Sequence, residues 1–312
     1  MEELRDPRKT FGEALVAAAQ NNPHIVALSA DSSSGSGMTP FKEKFPDRHF
    51  EFGIMEQGIM GFASGLATTG KIPFFAAIAP FVTARPFEMF RNDVGYMRQN
   101  VKVVGRSAGL TYSDLGATHQ SLDDIAIIRT IPGVTVINPG DPVDIVKAVH
   151  AAVAHVGPVY IKIGSPKMPV LMEADYPFQI GKGVVMEEGG DVTIIATGTL
   201  LSKAAAATKV LHSKGIQARL INMHTIKPLD QELVLKAAQE TGKIVTVEEG
   251  YLAGGLGGCI AELLAAELPT PMKMIGVNDH YPDAGPYEAL LSQLGLQGEQ
   301  IAETVVKFLG EQ

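Results

Sequence analysis

The carboxyl group of Glu56 lies in a strongly apolar stretch of the sequence, FEFGIMEQGIMGFASG. Glu56 falls in the opening turn of a predicted helix, where the helix dipole favours the charged carboxylate by ~0.3–1 kcal/mol. Burial among neighbours such as Phe52, Ile54 and Met60 favours the neutral acid instead. If the site is dry, desolvation dominates and the sequence predicts a glutamate that carries a proton. The alternative is an ordinary glutamate that complements the dipole at a helix start.

A second candidate is His119, in the loop GRSAGLTYSDLGATHQS, which also contains Asp114 and several hydroxyl groups. A histidine titrates near neutral pH and can bind a hydroxyl or carbonyl group of a substrate. The alternative is a histidine that is merely exposed. The segments 31–39 and 248–258 are similarly rich in small and polar residues. Open parallel sheets bind ligands at the carboxyl ends of their strands, so we expect the site in loops of this kind.

Three glycines follow Glu56 on one face of the same predicted helix, at Gly58, Gly61 and Gly65. A glycine inside a helix costs roughly 1 kcal/mol relative to alanine. Close approach of another backbone would offset that cost. We therefore interpret this face as an interface, either with a helix of the same core or with a symmetry-related copy.

Short apolar runs alternate with longer helical segments along the chain. In the first half the predicted strands are 24–30, 72–78, 101–105, 134–137 and 159–163, and the predicted helices are 11–20, 55–69, 85–98, 122–129 and 142–155. In the second half the predicted strands are 192–197, 216–221, 244–248 and 272–277, and the predicted helices are 200–214, 230–241, 253–267, 287–294 and 301–309.

This alternation predicts an α/β fold with two doubly wound, mostly parallel-sheet domains. The length of 312 residues also favours two domains. A change in composition places a linker at 171–190, between a first domain at 1–170 and a second at 191–312, with one strand expected at 182–186. Asp141 before Pro142 has the pattern of a helix cap. Ser121 and Asp124 resemble a capping pair.

Composition excludes several function classes. The net charge of −8 argues against general nucleic-acid binding, which needs clustered cations. The most apolar stretch, 73–82, is too short to cross a bilayer, and the charged N-terminal segment MEELRDPRKT does not resemble a signal peptide. Cys259 is the single cysteine and cannot form a disulfide within the chain. We expect a cytoplasmic protein without membrane contact.

The sequence also lacks the common motifs for metals and dinucleotides. H-E-x-x-H, C-x-x-C and P-loop patterns are absent, so no metal site is predicted on this chain. The segment GGLGG at 254–258 does not have the G-x-G-x-x-G order of dinucleotide-binding loops. We interpret it as tight packing between a helix and a strand, which disfavours a nucleotide-binding oxidoreductase.

Several motifs, in order along the chain, resemble the C-terminal half of a transketolase: FGIMEQGIMGFASGLA, LGATHQSLDDIAIIRTIPGVTVINPGDPVD, PVYIKIG, VTIIATGT, HTIKPLD and VEEGYLAGGLGG. The resemblance spans nearly all 312 residues. The chain is similar to the C-terminal subunit of those family members that are split into two genes. It implies a pyrimidine-binding domain followed by a transketolase C-terminal domain. It also implies thiamine diphosphate as cofactor.

The family binds the diphosphate and its Mg²⁺ on a separate domain that contains a G-D-G signature, and this sequence has no G-D-G. The resemblance therefore implies a partner. This N-terminal subunit would supply most of the contacts to the Mg²⁺ and the diphosphate. It also implies self-association about a two-fold axis, with a heterotetramer expected. The implied activity is transfer of a two-carbon ketol unit from a ketose phosphate to an aldose phosphate, as in the pentose phosphate pathway.

In the family, a glutamate hydrogen-bonds N1′ of the cofactor's aminopyrimidine and promotes its imino form; Glu56 matches that position. An aromatic ring stacks on the pyrimidine, for which Phe81 is the first choice and Phe87 the second. His119 matches the family's T-H-Q histidine, which contacts an oxygen of the two-carbon unit.

Further substrate contacts are implied for Asp114, Ser33 and Ser34. Two departures concern substrate phosphate. The family's second histidine in the loop falls near Ser107 here, and its phosphate-binding arginine is absent after the strand 159–163, which ends IKIGSP. Arg106 or Lys162 are the possible substitutes.

Two other functions remain open. The β subunit of a 2-oxo acid dehydrogenase E1 component is similar in size, fold and cofactor glutamate. A non-catalytic binding or scaffold subunit could also retain this fold. The T-H-Q motif and the glutamate junction favour a transketolase.

Overall fold

Buried apolar runs of the sequence form most strands of two mostly parallel sheets in the structure, a computed structural model that describes residues 3–310. The strands in that range are β1 (Leu4–Arg5), β2 (Ile25–Ser29), β3 (His49–Glu51), β4 (Ile72–Ile78), β5 (Lys102–Arg106), β6 (Thr135–Ile137), β7 (Val159–Ile163), β8 (Met168–Pro169), β9 (Val184–Glu187), β10 (Val192–Ala196), β11 (Ala218–Asn222), β12 (Thr225–Lys227), β13 (Ile244–Tyr251) and β14 (Met272–Val277).

The first sheet has seven strands in the order β12-β6-β7-β5-β4-β2-β3, and its neighbours are parallel except for β12 beside β6. The second has five strands in the order β14-β13-β10-β11-β9, with only β9 antiparallel. A short antiparallel pair joins β1 to β8. The predicted α/β fold with two doubly wound, mostly parallel sheets is therefore confirmed.

Helices connect the strands and cover the sheets. Over the described residues they are α1 (Pro7–Asn21), α2 (Thr39–Lys44), α3 (Glu56–Thr68), α4 (Ala79–Val82), α5 (Phe87–Met89), α6 (Asp124–Arg129), α7 (Pro142–Ala154), α8 (Leu201–Ser213), α9 (Gln231–Thr241), α10 (Leu256–Glu267), α11 (Tyr287–Gln293) and α12 (Gly298–Gly310). Every residue of β2, β5 and β7 is buried, as expected for central strands covered on both faces.

Two helix starts show what the capping patterns predicted correctly and what they did not. Asp141 caps α7, because its Oδ1 accepts from the Asp144 backbone N–H at 2.7 Å, as predicted. The predicted Ser121–Asp124 capping pair is wrong. Asp124 is buried and accepts instead from Tyr160 Oη at 2.6 Å and from Lys162 Nζ at 2.7 Å. These strand side chains compete successfully for its carboxylate.

The predicted helix at 85–98 is also wrong in form. The chain bends at Pro86, forms the single turn α5 and continues as a π-helix over Phe90–Tyr96. Proline has no N–H and disfavours helical geometry in the residue before it, so a helix cannot run through Arg85 into Pro86. Arg85 is thereby left in the connection between α4 and α5.

The sequence pattern missed several short elements. They are β1, β3, β8, β12, α2 and α4, each of two to six residues. The strand expected at 182–186 is present as β9. The strand β12 follows β11 in the chain yet pairs with β6 of the first sheet. Such short strands have no periodicity of their own, because pairing and burial alone define them.

The two sheets meet through buried polar contacts. Glu249 on β13 accepts from the Leu110 backbone N–H and from Tyr287 Oη at 2.8 Å. Lys162 on β7 donates to the Glu249 carbonyl oxygen at 3.2 Å. Burial raises the pKa of Glu249, and these donors oppose that shift. The second sheet thereby supports the loop that follows β5.

Candidate active site

Three connections at the carboxyl edge of the first sheet bring candidate side chains together. The connections after β3, β4 and β5 contain Glu56, Phe81 and His119, respectively. These strands are near neighbours in the sheet order, and ligands of open parallel sheets bind at this edge. The position agrees with the one expected from the sequence.

Glu56 is the first residue of α3, and its side chain is only 4% exposed. Gly53, with φ +70°, turns the chain between β3 and this helix. The surroundings of Glu56 are not only the apolar neighbours seen in the sequence, because Arg85 Nη1 donates to Glu56 Oε1 at 2.8 Å. The buried carboxyl group therefore has a cationic partner within the described chain.

Arg85 is a residue that the sequence interpretation missed. Its Cζ atom lies 3.8 Å from the centre of the Phe81 ring, so the guanidinium covers one face of that ring. The Arg85 carbonyl oxygen accepts from Gln57 Nε2 at 3.2 Å. A lone arginine in the apolar segment AIAPFVTARPF was the available signal.

His119 is half-buried beside the same aromatic ring. Its ring centre lies 5.2 Å from that of Phe81 and 5.6 Å from that of Tyr112, both edge-on. Thr118 Oγ1 lies 2.9 Å from His119 Nδ1. The part of the chain that forms the second sheet contacts this loop, because Gln120 Nε2 donates to the Asp283 carbonyl oxygen at 3.0 Å.

Other predicted site residues lie apart from this group. Phe87 is partly buried against the hydrophobic core and makes no ring contact with Phe81 or His119 in the described part of the chain. Asp114 is exposed in the turn Ser113–Thr118. The structure therefore brings together Glu56, Phe81 and His119, with Arg85 added.

Ser33 and Ser34 lie in the loop after β2. Ser33 Oγ donates to Glu51 Oε2 at 2.7 Å, so its hydroxyl is engaged at the ends of β2 and β3. Together with the Ser29 hydroxyl and two backbone N–H groups, this contact opposes desolvation and lowers the pKa of Glu51 to about 2. Ser34 is exposed. No contact in the described residues joins either serine to Glu56 or His119.

The two cations considered for substrate phosphate have different surroundings. Lys162 is buried in an ion pair with Asp124, at 2.7 Å. Arg106, 8% exposed, donates to Ser36 Oγ at 3.1 Å and to Ser107 Oγ at 3.0 Å. Within residues 3–310 no carboxylate lies within ion-pair distance of Arg106. Its burial lowers the pKa of the guanidinium.

Serine hydroxyls surround Arg106 at the ends of adjacent strands. Ser107 Oγ lies 2.7 Å from Ser165 Oγ, which follows β7. The Arg106 Cζ atom lies 5.9 Å from the Tyr112 ring, which in turn contacts His119. One aromatic ring therefore separates an uncompensated buried cation from the histidine.

The glycine-rich segment of the second sheet is packed by its own chain. Glu248 on β13 accepts from the Leu256 and Gly257 backbone N–H groups, both at 2.8 Å. A Cβ atom at Gly255 would collide with the same carboxylate. The start of α10, where a dinucleotide phosphate would bind, is thus filled by Glu248, in agreement with the packing interpretation.

The glycine face of α3 is open. Among the described residues, a Cβ atom at Gly65 would meet nothing within 4 Å, and one at Gly61 would meet only Asp93 Oδ2, at 3.6 Å. One at Gly58 would meet only Cε, at the flexible end of the Met55 side chain. The alternative that this face packs on a helix of the same core is therefore wrong. Ile54, Met55 and Phe62 beside it are exposed apolar side chains.

Residues 3–310 contain no group of three or more His, Cys, Asp or Glu side chains arranged to hold a metal ion. No helix in the same range combines the length and the apolar character needed to cross a membrane.

Comparisons with known proteins give consistent results. Residues 5–168 match the family described as "Transketolase, pyrimidine binding domain", and residues 181–301 match "Transketolase, C-terminal domain". A "Putative transketolase C-terminal section" from Methanocaldococcus jannaschii is 38% identical, covering 96% of this chain and 95% of that protein. A 6-deoxy-6-sulfo-D-fructose transketolase subunit from Clostridium sp. is 39% identical, covering 94% and 91%.

A solved structure is similar over the whole length. It is described as "Split gene transketolase, inactive beta4 tetramer" and superposes with a TM-score of 0.92 at 41% identity, covering 98% of each chain.

Proposed function

The chain belongs to the transketolase family as a transketolase-type C-terminal subunit, and from this we propose that it transfers a two-carbon ketol unit between sugars together with an N-terminal subunit. The observation that supports the proposal most is the grouping of buried Glu56, the Phe81 ring and His119 at one sheet edge. An acid, a stacking surface and a hydrogen-bonding imidazole are the parts that such chemistry requires.

These residues fit one half of thiamine diphosphate. Glu56 Oε2 makes no hydrogen bond to the rest of the described chain, so it is available to a ring nitrogen. Phe81 has a flat apolar ring on which a planar heterocycle can stack once the Arg85 guanidinium has left that face. When bound, thiamine diphosphate supplies the nucleophilic carbon for ketol transfer. Glu56 would hydrogen-bond the pyrimidine and exchange a proton with that ring. His119 would hydrogen-bond a sugar oxygen.

The diphosphate and Mg²⁺ need residues from another chain. The described residues contain no cluster of metal ligands, and the sequence has no G-D-G. The similar split-gene structure is named as a tetramer, and the open glycine face of α3 lies beside Glu56. We propose that an N-terminal subunit and a second copy of this chain complete a heterotetramer there. The cytoplasmic location stays a prediction.

The substrate contacts follow from the two cations. Lys162 is neutralised by Asp124, whereas Arg106 has hydroxyl partners only. We propose that Arg106 attracts the oxyanion at the far end of a sugar phosphate or sugar sulfonate. The relative from Clostridium is named for a sulfo sugar, which is of this chemical class. Asp114, Ser33 and Ser34 remain proposed substrate contacts without direct contacts to the central group.

The test uses the two subunits together. The partner to be tested is the product of the reading frame next to the gene for this chain, provided that it has a similar length, a G-D-G motif and a downstream Asn. We expect the purified pair to react with xylulose 5-phosphate and ribose 5-phosphate. Activity only with pyruvate and a lipoyl domain would support the E1 alternative, and activity with neither would support a scaffold subunit.

A further inference from the structure

Arg85 makes both contacts that the cofactor's aminopyrimidine would need. We propose that, in the free chain, the Arg85 guanidinium occupies the place of that ring and must leave when the ring binds. Arg85 then controls how tightly the assembled enzyme binds its cofactor. The inference depends on the proposed function, because it concerns the same pocket.

The geometry defines a single position between two partners. The guanidinium donates to Glu56 Oε1 at 2.8 Å, and its central carbon lies 3.8 Å from the centre of the Phe81 ring. A guanidinium is planar, and its N–H groups point outward in its own plane. A planar heterocycle that hydrogen-bonds Glu56 and stacks on that face of Phe81 would overlap it. The two groups cannot be present together in this arrangement.

The side chain can leave without disturbing the backbone. The Arg85 side chain is 40% exposed, and within residues 3–310 its guanidinium has no hydrogen-bond acceptor other than Glu56. The bond from Gln57 Nε2 holds the Arg85 carbonyl oxygen, not its side chain. Solvent is therefore available to the guanidinium once it swings away.

Glu56 gains from either partner. Its side chain is buried, and a buried carboxylate without a partner is unfavourable. Arg85 supplies that partner before the cofactor binds. Removing the arginine would leave Glu56 unpaired in the free state, so the incoming ring would recover more free energy. The competition thus predicts tighter cofactor binding when the arginine is removed.

The experiment compares variants of this subunit in the assembled, cofactor-free enzyme. Titration calorimetry measures the Kd for thiamine diphosphate with Mg²⁺ for the wild type, Arg85→Met and Arg85→Lys. We expect Arg85→Met to bind roughly fivefold more tightly, as loss of a competing, partly exposed ion pair and ring contact predicts. Arg85→Lys, which keeps the charge but not the planar group, should lie between. Size-exclusion chromatography verifies assembly.

Arg5→Met is the matched control. Arg5 is also a half-exposed arginine paired with a glutamate, Glu3, at 2.8 Å, and it lies on β1. Its Kd should equal that of the wild type. Unchanged or weaker binding by both Arg85 variants would overturn the inference and assign Arg85 a supporting role. A wild-type assembly that binds no thiamine diphosphate would instead refute the proposed function itself.

Discussion

Lys162 and Asp124 form a fully buried ion pair, with Nζ 2.7 Å from Oδ1, on the side of the first sheet that faces the second. Lys162 also donates to the carbonyl oxygens of Ser121 and Glu249, each at 3.2 Å. This single side chain therefore ties β7 both to the His119 loop and to the second sheet.

Lys162→Met should destabilise the chain strongly. Asp124 would keep its buried charge and lose its cation, which costs about 3–5 kcal/mol for buried pairs. Urea unfolding monitored by circular dichroism measures the free energy of unfolding. Lys209→Met, at an exposed lysine of α8, is the control. Equal stability of Lys162→Met and the wild type would contradict the buried-pair interpretation.

Glu56→Gln should abolish turnover without breaking the assembly. Glutamine keeps the shape of the side chain and can hydrogen-bond, but it cannot exchange a proton with a bound ring. We expect kcat to fall by about 10²–10⁴-fold, the usual size of a general acid–base contribution. Steady-state kinetics and size-exclusion chromatography measure the two properties.

The control for this change is Glu88→Gln, an exposed glutamate on α5. Its turnover should equal that of the wild type. If Glu56→Gln retained full turnover, Glu56 would have no part in the reaction.

Long apolar runs made much of the fold predictable. The bounds of β4, β7 and β14 agree with the sequence prediction. β4 and β7 are largely buried strands whose apolar residues end where the chain leaves the sheet, whereas β14 is a partly exposed edge strand. The short strands β3 and β12 were not predictable, because pairing with a neighbour defines them. Pro86 could have indicated the broken helix at 85–98.

The site was predictable in part. Glu56 and His119 stand in recognisable local motifs; in the structure His119 lies beside Phe81, and Glu56 is linked to that ring through Arg85. The lone Arg85 stands out in its apolar segment, but its contact with Glu56 was not predictable, because it joins residues 29 positions apart. Likewise, only tertiary packing distinguishes Arg106 from Lys162, since a sequence cannot show which cation has a carboxylate partner.

Arg106→Met should weaken binding of anionic sugars selectively. A charge-assisted hydrogen bond to an oxyanion contributes about 1.5–3 kcal/mol, so KM should rise by about 10- to 100-fold for a sugar phosphate. KM for the corresponding uncharged sugar should not change. Stability should fall little, because no carboxylate in the described chain loses its partner.

The control for Arg106 is Arg219→Met. Arg219, on β11 of the second sheet, is also largely buried, but it forms ion pairs with Glu188 and with Glu240 of α9. We expect Arg219→Met to lower the free energy of unfolding and to leave the KM values for both sugars unchanged. Equal effects of Arg106→Met on charged and uncharged sugars would exclude Arg106 as the oxyanion contact.

Glu51 should make the stability of the first sheet sensitive to acid. Its pKa falls from 4.5 to about 2 in the folded chain, where the Ser29 hydroxyl and the Asp31 N–H donate to its carboxylate. A carboxyl with a lowered folded pKa stabilises the fold above its unfolded pKa, and this contribution is lost as pH falls from about 4.5 towards 2. Urea unfolding of the wild type and Glu51→Gln at several pH values tests this. The wild type should be more stable than Glu51→Gln at pH 7, and this difference in the free energy of unfolding should shrink below pH 4.5. The control Glu43→Gln, at an exposed glutamate, should match the wild type at every pH. A difference independent of pH would show that the charge on Glu51 does not stabilise this sheet edge.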